Sequence, residues 1–167
     1  MCEILAPAGD SAAFYAAINS GADAVYLGLT DFSARRSAAN FSLENLRTHI
    51  GYAHALGVRV YVALNTLVKD GEVGRFFESA LGAWNAGADA LIIQDVFLGK
   101  LLKEAYPGMV LHLSTQAGVC NLYGARLAKR YGFSRVILAR EMPFESAAAI
   151  AKAIETEGVV PGALSTC

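Results

Sequence analysis

Charge is what this 167-residue chain has least of: 17% of its residues are charged against 54% hydrophobic, with a net charge of −1. That balance gives no electrostatic steer toward a polyanion, although a local basic patch suffices to bind one. Long apolar runs are also missing, which excludes a spanning helix and sends the apolar excess into a core. No basic stretch and hydrophobic segment precede the first strand, so a cytoplasmic location is expected. Cysteine is sparse. Cys2, Cys120 and Cys167 form no Cys-x-x-Cys pair, which argues against a disulfide framework and falls short of the four thiolates of a typical iron–sulfur cluster. Hydrolytic signatures are absent too: there is no Gly-x-Ser-x-Gly elbow and no His-Glu-x-x-His helix. His49 and His54 are five apart on one predicted helix and read as surface or packing residues, and His112 falls inside a predicted strand. A Cys120–His112 thiol pair has no geometry fixed by its spacing.

What is present is a repeated phrase. Gly21-Ala22-Asp23-Ala24-Val25-Tyr26-Leu27 returns as Gly87-Ala88-Asp89-Ala90-Leu91-Ile92-Ile93. Each copy reads as a glycine ending a helix, followed by a short strand buried on both faces. The same beat marks six strand–helix units. Strands are expected at Glu3–Pro7, Ala24–Leu27, Arg59–Leu64, Ala90–Ile93, Val110–Leu113 and Arg135–Ala139. Helices are expected at Ser11–Ser20, Leu43–Leu56, Glu72–Ala86, Val96–Ala105, Leu122–Tyr131 and from Pro143 to Glu155. Asp10 and Ser42 suit the caps of the first two. Leu43, Leu46, Ile50 and Ala53 should form the buried face of the second helix, and Val73, Phe76, Phe77, Ala80, Leu81 and Trp84 that of the third.

Strict alternation implies parallel strands with right-handed crossovers. Ala6-Pro7-Ala8-Gly9-Asp10 after the first strand is not a glycine-rich phosphate loop. The reading is therefore an α/β fold of the parallel (β/α) TIM-barrel kind rather than an open nucleotide-binding sheet. Such a barrel normally takes about 250 residues, so residues 1–167 read as a single partial barrel domain, the amino-terminal part of a longer protein. A seventh strand is expected over Gly158–Leu164, where Pro161 lacks a ladder donor. An open seam then calls for self-association or a partner to cover it.

Function in such folds gathers at the carboxyl ends of the strands. Those ends carry Asp10, Gly28, Asn65, Gln94-Asp95, Ser114-Thr115-Gln116 and Arg140-Glu141, and the fourteen-residue connection Gly28–Phe41 adds Arg35, Arg36 and Asn40. Asp10 reads first as a helix cap. Asn65 and Gln116 read equally as partners of loop backbone or as ligand contacts. The substrate-binding candidates are Arg35, Arg36, Asn40, Asn65, Thr115, Gln116 and Arg140, and the guanidinium forks of the three arginines match the carboxylate or phosphate of a small anionic molecule. Glu141 and Asp95 are the candidate catalytic carboxylates, with a local Glu141–Arg140 ion pair as the alternative.

Seven ordered phrases carry a resemblance: Leu5-Ala6-Pro7-Ala8-Gly9, the first copy of the repeat through Gly28, Phe32-Ser33-Ala34-Arg35, Ala39-Asn40-Phe41, Tyr61-Val62-Ala63-Leu64-Asn65, His112-Leu113-Ser114-Thr115-Gln116 and Leu138-Ala139-Arg140-Glu141. They resemble the collagenase-like peptidase family of unassigned catalytic type. The resemblance implies a barrel-type amino-terminal domain. It also implies either a protease or a factor for prephenate-dependent hydroxylation of tRNA or ribosomal RNA bases, or for oxygen-independent ubiquinone hydroxylation. Such proteins carry an iron–sulfur cluster on cysteines mostly downstream of this region. The family's His-Gly-Ala segment has Pro161-Gly162-Ala163 in this chain. No cofactor is therefore expected in this chain and an iron–sulfur cluster only in a full-length protein. RNA modification is the favoured reading, with a collagenase-like hydrolase and a non-catalytic binding module as alternatives.

Overall fold

A computed structural model describes residues 3–34, 39–139 and 142–158. The chain falls into two compact units, residues 1–92 and 93–167.

In the first unit, β1 (Leu5–Ala8), β2 (Ala24–Gly28), β3 (Arg59–Leu64) and β4 (Ala90–Ile93, its last residue counted with the second unit) follow one another in chain order. β1 and β2 are parallel with Leu5 opposite Ala24, and β2 and β3 are parallel with Ala24 opposite Arg59. The helices are α1 (Ser11–Asn19), α2 (Leu43–Ala55) and α3 (Val73–Asn85). Asp10 caps α1, accepting from the Ala13 N–H at 2.8 Å. Phe14 and Ile18 of α1, and Leu46, Ile50 and Ala53 of α2, are buried. Each such large side chain contributes about 1.5–3 kcal/mol of transfer free energy.

Two helix faces differ from the sequence reading. Leu43 is 42% exposed: in the first turn of α2, its side chain lies against Gly82 of α3. On α3 the buried residues are Phe76, Ser79, Ala80 and Ala83, while Phe77, Leu81 and Trp84 are half-buried. Small residues at the centre of the face permit close approach to the strands, and the larger ones fill its flank.

The repeated phrase has a common physical role. Gly21 and Gly87 sit at φ +87° and +105°, the left-handed conformation that ends a helix. Two residues later the aspartates turn back to a neighbouring strand. Asp23 Oδ2 accepts from the Ile4 N–H at 2.8 Å, and Asp89 Oδ2 accepts from the Val60 N–H at 2.7 Å. Their own N–H groups donate to Ile4 and Val60 carbonyls at 3.0 and 2.9 Å. Each aspartate thus makes a two-way clamp that fixes strand register at the amino end. His54 Nε2 lies 2.8 Å from Asp89 Oδ2, and the Tyr61 hydroxyl donates to Glu3 Oε2 at 2.9 Å. Glu3 is also ion-paired with Arg59.

The second unit carries α4 (Val96–Ala105), β5 (Leu111–Leu113), α5 (Leu122–Arg130), β6 (Arg135–Ile137), α6 (Phe144–Ala151) and β7 (Glu155–Glu157), with β5, β6 and β7 in order and parallel. Ser134 continues the beat: its N–H and Oγ both donate to the Leu111 carbonyl, at 2.9 and 3.1 Å. The strand after α6 departs from expectation. The helix ends at Ala151, not Glu155, and a strand forms at Glu155–Glu157, while the strand expected over Gly158–Leu164 lies, beyond Gly158, outside the described residues. The cause is Arg135, 5% exposed on β6, whose Nε donates to Glu155 Oε1 at 3.1 Å and whose Nη1 lies 3.5 Å from Glu157 Oε2. A buried guanidinium needs carboxylate partners, and alternation along an extended strand delivers both glutamates to it. Residues 159–167, including Pro161, lie outside the described residues.

Replacing Asp89 with alanine should leave the Val60 N–H without its carboxylate acceptor and lower stability by about 1–3 kcal/mol. Asp89→Asn, whose amide oxygen still accepts, should lose less. Urea unfolding of both variants checks the order.

Candidate functional site

In the first unit, the carboxyl ends of β1, β2 and β3 converge on the connection from Gly28 to Phe41. Phe41 is its anchor. The ring is 1% exposed, 6.1 Å from Phe14 and 5.0 Å from the imidazole of His49, so it locks the connection between α1 and α2. Its N–H donates to the Gly28 carbonyl at 2.9 Å, and the Asn40 N–H donates to the Gly9 carbonyl at 3.0 Å. From the other side, Asn65 Oδ1 accepts from the Ala34 N–H at 3.2 Å. The connection is therefore tied to all three strand ends.

Two non-glycine residues in it adopt left-handed backbone: Phe32 at φ 61° and Asn40 at φ 50°. Asparagine tolerates this conformation, but phenylalanine pays for it, and such strain concentrates at functional sites. Packing holds Phe32 in place, with its ring edge-on to Phe76 at 5.6 Å and the Arg75 guanidinium 5.9 Å from its centre.

Gly28 makes the close fit possible. A Cβ there would fall 2.7 Å from Ser33 Cβ and 2.9 Å from Asn40 Oδ1. Without it, Ser33 and Asn40 close over a recess of about 30 Å³ also lined by Gly9, Tyr26, Ala63 and Asn65. That volume admits a water molecule or two. Amide and hydroxyl groups of Asn40, Asn65, Ser33 and Tyr26 line it beside the apolar Ala8, Leu27 and Ala63, and among the described residues no carboxylate does.

The second unit's strand ends are tied down in the same manner. Asp95 caps α4, its Oδ1 accepting from Phe97 and Leu98 N–H groups at 2.9 and 3.0 Å. Thr115 Oγ1 donates to the Leu138 carbonyl at 3.1 Å, linking the end of β5 to the segment after β6. Ser114 Oγ accepts from the Gln116 N–H at 3.3 Å, which leaves Gln116 exposed in the turn that follows. Arg35, Arg36, Arg140 and Glu141 lie outside the described residues. Of the sequence candidates, Asn40 and Asn65 are brought together at one recess.

Ser33 and Tyr26 line that recess and were not singled out from the sequence. The available signal was Gly28 at a strand end, since a glycine there marks close approach of other groups. His49 is buried, with Nδ1 donating to the Asn45 carbonyl and Nε2 taking the Ser11 hydroxyl at 3.0 Å. Among the described residues no group of three or more His, Cys, Asp or Glu is arranged to hold a metal ion. Cys120 is exposed, and the other two cysteines lie outside the described residues. No helix among the described residues is long and apolar enough to cross a membrane.

The sequence profile of peptidase family U32 matches residues 9–167. The chain belongs to this family. Among curated U32-like relatives, it is 36% identical over 164 residues to the 23S rRNA 5-hydroxycytidine C2501 synthase of Escherichia coli, covering 97% of this chain and 24% of that protein. It is 37% identical to tRNA hydroxylation protein P of the same organism, covering 97% and 36%. It is also 32% identical to a collagenase of Porphyromonas gingivalis, covering 94% and 37%. The chain thus spans well under half the length of these relatives. Among solved structures, the U32 peptidase Mk0906 superposes with a TM-score of 0.74 at 14% identity, covering 95% of this chain and 67% of that one. A 3-keto-L-gulonate-6-phosphate decarboxylase from Vibrio cholerae gives 0.66 at 13%, covering 93% and 77%. The fold is accordingly α/β of the TIM-barrel type, as the alternating strands and helices imply.

Gly28→Ala should push Ser33 and Asn40 apart and release the connection between β2 and α2. Limited proteolysis should then cut within residues 30–40 several-fold faster, with the far-UV spectrum retained. Asn65→Ala should produce a weaker form of the same effect.

Proposed function

We propose that this chain is the amino-terminal barrel part of a factor that hydroxylates bases in tRNA or ribosomal RNA. The carrying observation is the character of the strand ends. Asn40, Asn65, Ser33 and Tyr26 bring amide and hydroxyl groups to the recess at β1–β3, while among the described residues the carboxylates nearest the strand ends, Asp10 and Asp95, act as helix caps. This arrangement presents hydrogen-bonding groups at the strand ends, and among the described residues no hydrolytic constellation is assembled. Two relatives at 36% and 37% identity are named for hydroxylation of rRNA and tRNA, which supports the same reading. Asn40 and Asn65 are the proposed ligand contacts of the recess. Arg35, Arg36 and Arg140 are proposed to supply positive charge toward an anionic ligand, and Glu141 remains the proposed general base. Thr115 and Gln116 are the proposed contacts of the second unit's strand ends. A cytoplasmic setting belongs to this reading, because that is where these RNA substrates are found.

A collagenase-like peptidase is the second reading, favoured by the Porphyromonas relative. It requires a nucleophile and base in contact. His112 is 3% exposed within β5, whereas Cys120 is exposed with Asn121 Nδ2 at 4.0 Å.

Deleting the gene should remove one hydroxylated base from tRNA or 23S rRNA, read by mass spectrometry of nuclease digests and restored by the intact gene. Unchanged RNA, together with gelatin cleavage lost on Cys120→Ala, would establish the peptidase instead.

A further inference from the structure

The long stretch between Glu104 and Glu141 contains no aspartate or glutamate, in a chain whose acids outnumber its Lys and Arg by 15 to 14. Helix α5 lies at the centre of this stretch. Ala125 and Ala128 form its buried side, and helical spacing puts Tyr123, Arg126, Leu127 and Arg130 together on the opposite face. Tyr123 is 81% exposed, the most exposed large hydrophobic side chain described. Arg126 and Arg130 are exposed, and neither has an ion pair among the described residues. One turn apart, these like charges repel each other along the helix. Lys129 differs: it is occupied, its Nζ donating to the Ala153 carbonyl at 2.7 Å.

Beside this face, the exposed Phe97 of α4 lies 6.0 Å, ring to ring, from Tyr131 at the end of α5. Glu104 of α4 is neutralised by Lys100 at 2.6 Å. The surface is thus positively charged and set with exposed aromatic rings. A protein surface repelling itself gains when a polyanion neutralises it, and exposed rings beside guanidinium groups match unstacked bases.

Resting on the RNA reading above, we infer that the outer face of α5, Tyr123 with Arg126 and Arg130, is an RNA-docking surface outside the strand-end site. The two arginines take phosphates, and Tyr123 stacks on an unpaired base.

The test is fluorescence anisotropy of the full chain with labelled bulk bacterial tRNA across a salt series. Arg126→Ala/Arg130→Ala should weaken binding and flatten the log K against log salt slope by about 1.4, the value for two phosphate contacts on single-stranded RNA. Tyr123→Ala should weaken binding about tenfold with the slope unchanged. Arg47→Ala/Lys152→Ala, an equal charge change elsewhere, should leave both unaltered. Circular dichroism confirms that each variant is folded.

The surface is wrong if the chain does not bind tRNA at 50 mM salt, if the control pair flattens the slope equally, or if Tyr123→Ala binds as the parent does. The two proposals separate cleanly. A hydroxylated base lost on gene deletion, with binding indifferent to Arg126 and Arg130, retains the function and removes this surface. Binding that depends on those arginines, with RNA unchanged on deletion, retains the surface and removes the function.

Discussion

The carboxylate clamp at the helix-to-strand junction is the constraint on which the first unit depends. A parallel sheet has no hairpins to set its register, and a one-residue slip sends every side chain to the opposite face. Asp23 and Asp89 prevent such a slip by accepting from Ile4 and Val60 N–H groups while their own N–H groups return to the same residues' carbonyls. The left-handed glycine two positions earlier turns the chain so that the aspartate arrives at the correct height. With register fixed at the amino ends, Ala8, Gly28 and Asn65 emerge beside one another at the carboxyl ends, where a site can be built.

The division of labour between the two ends follows from this. Junctions at the amino ends are short and saturated with internal hydrogen bonds, so they serve stability. The connection after β2 is long, carries left-handed backbone at Phe32 and Asn40, and is fastened at several points: Phe41 in the core, Phe32 on Phe76, Asn65 on Ala34, Gly9 on Asn40. Strain of this kind persists only where surrounding contacts over-determine it. That a small recess results, bounded by Ser33 and Asn40, fits a role in orienting a ligand group.

Much of this was legible in the sequence. Short apolar runs after glycine identified the strands, and Asp10, Ser42 and the 3.6-residue spacing identified helices with nearly correct limits. Asn65 was legible because it lies at a strand end, and Asn40 because it belongs to the long connection that follows one. The role of the repeated aspartates was not, because a hydrogen bond to a strand distant in sequence leaves no local pattern. The placement of β7 was hidden for a similar reason: Glu155 and Glu157 look helical or solvated until a buried Arg135 on another strand claims both. Ser33 was hidden by its ordinariness, since only the absent side chain of Gly28 gives it a place.

Residue-resolved amide hydrogen exchange of the intact chain tests most directly whether clamped register and a tied-down connection together build the site. The account predicts that the N–H groups of Ile4 and Val60 exchange as slowly as the strand centres, and that those of Ala34, Asn40 and Phe41 are protected well above the rate of an open loop. Exchange of Ala34, Asn40 and Phe41 at the unstructured rate, with the strands still protected, would contradict it.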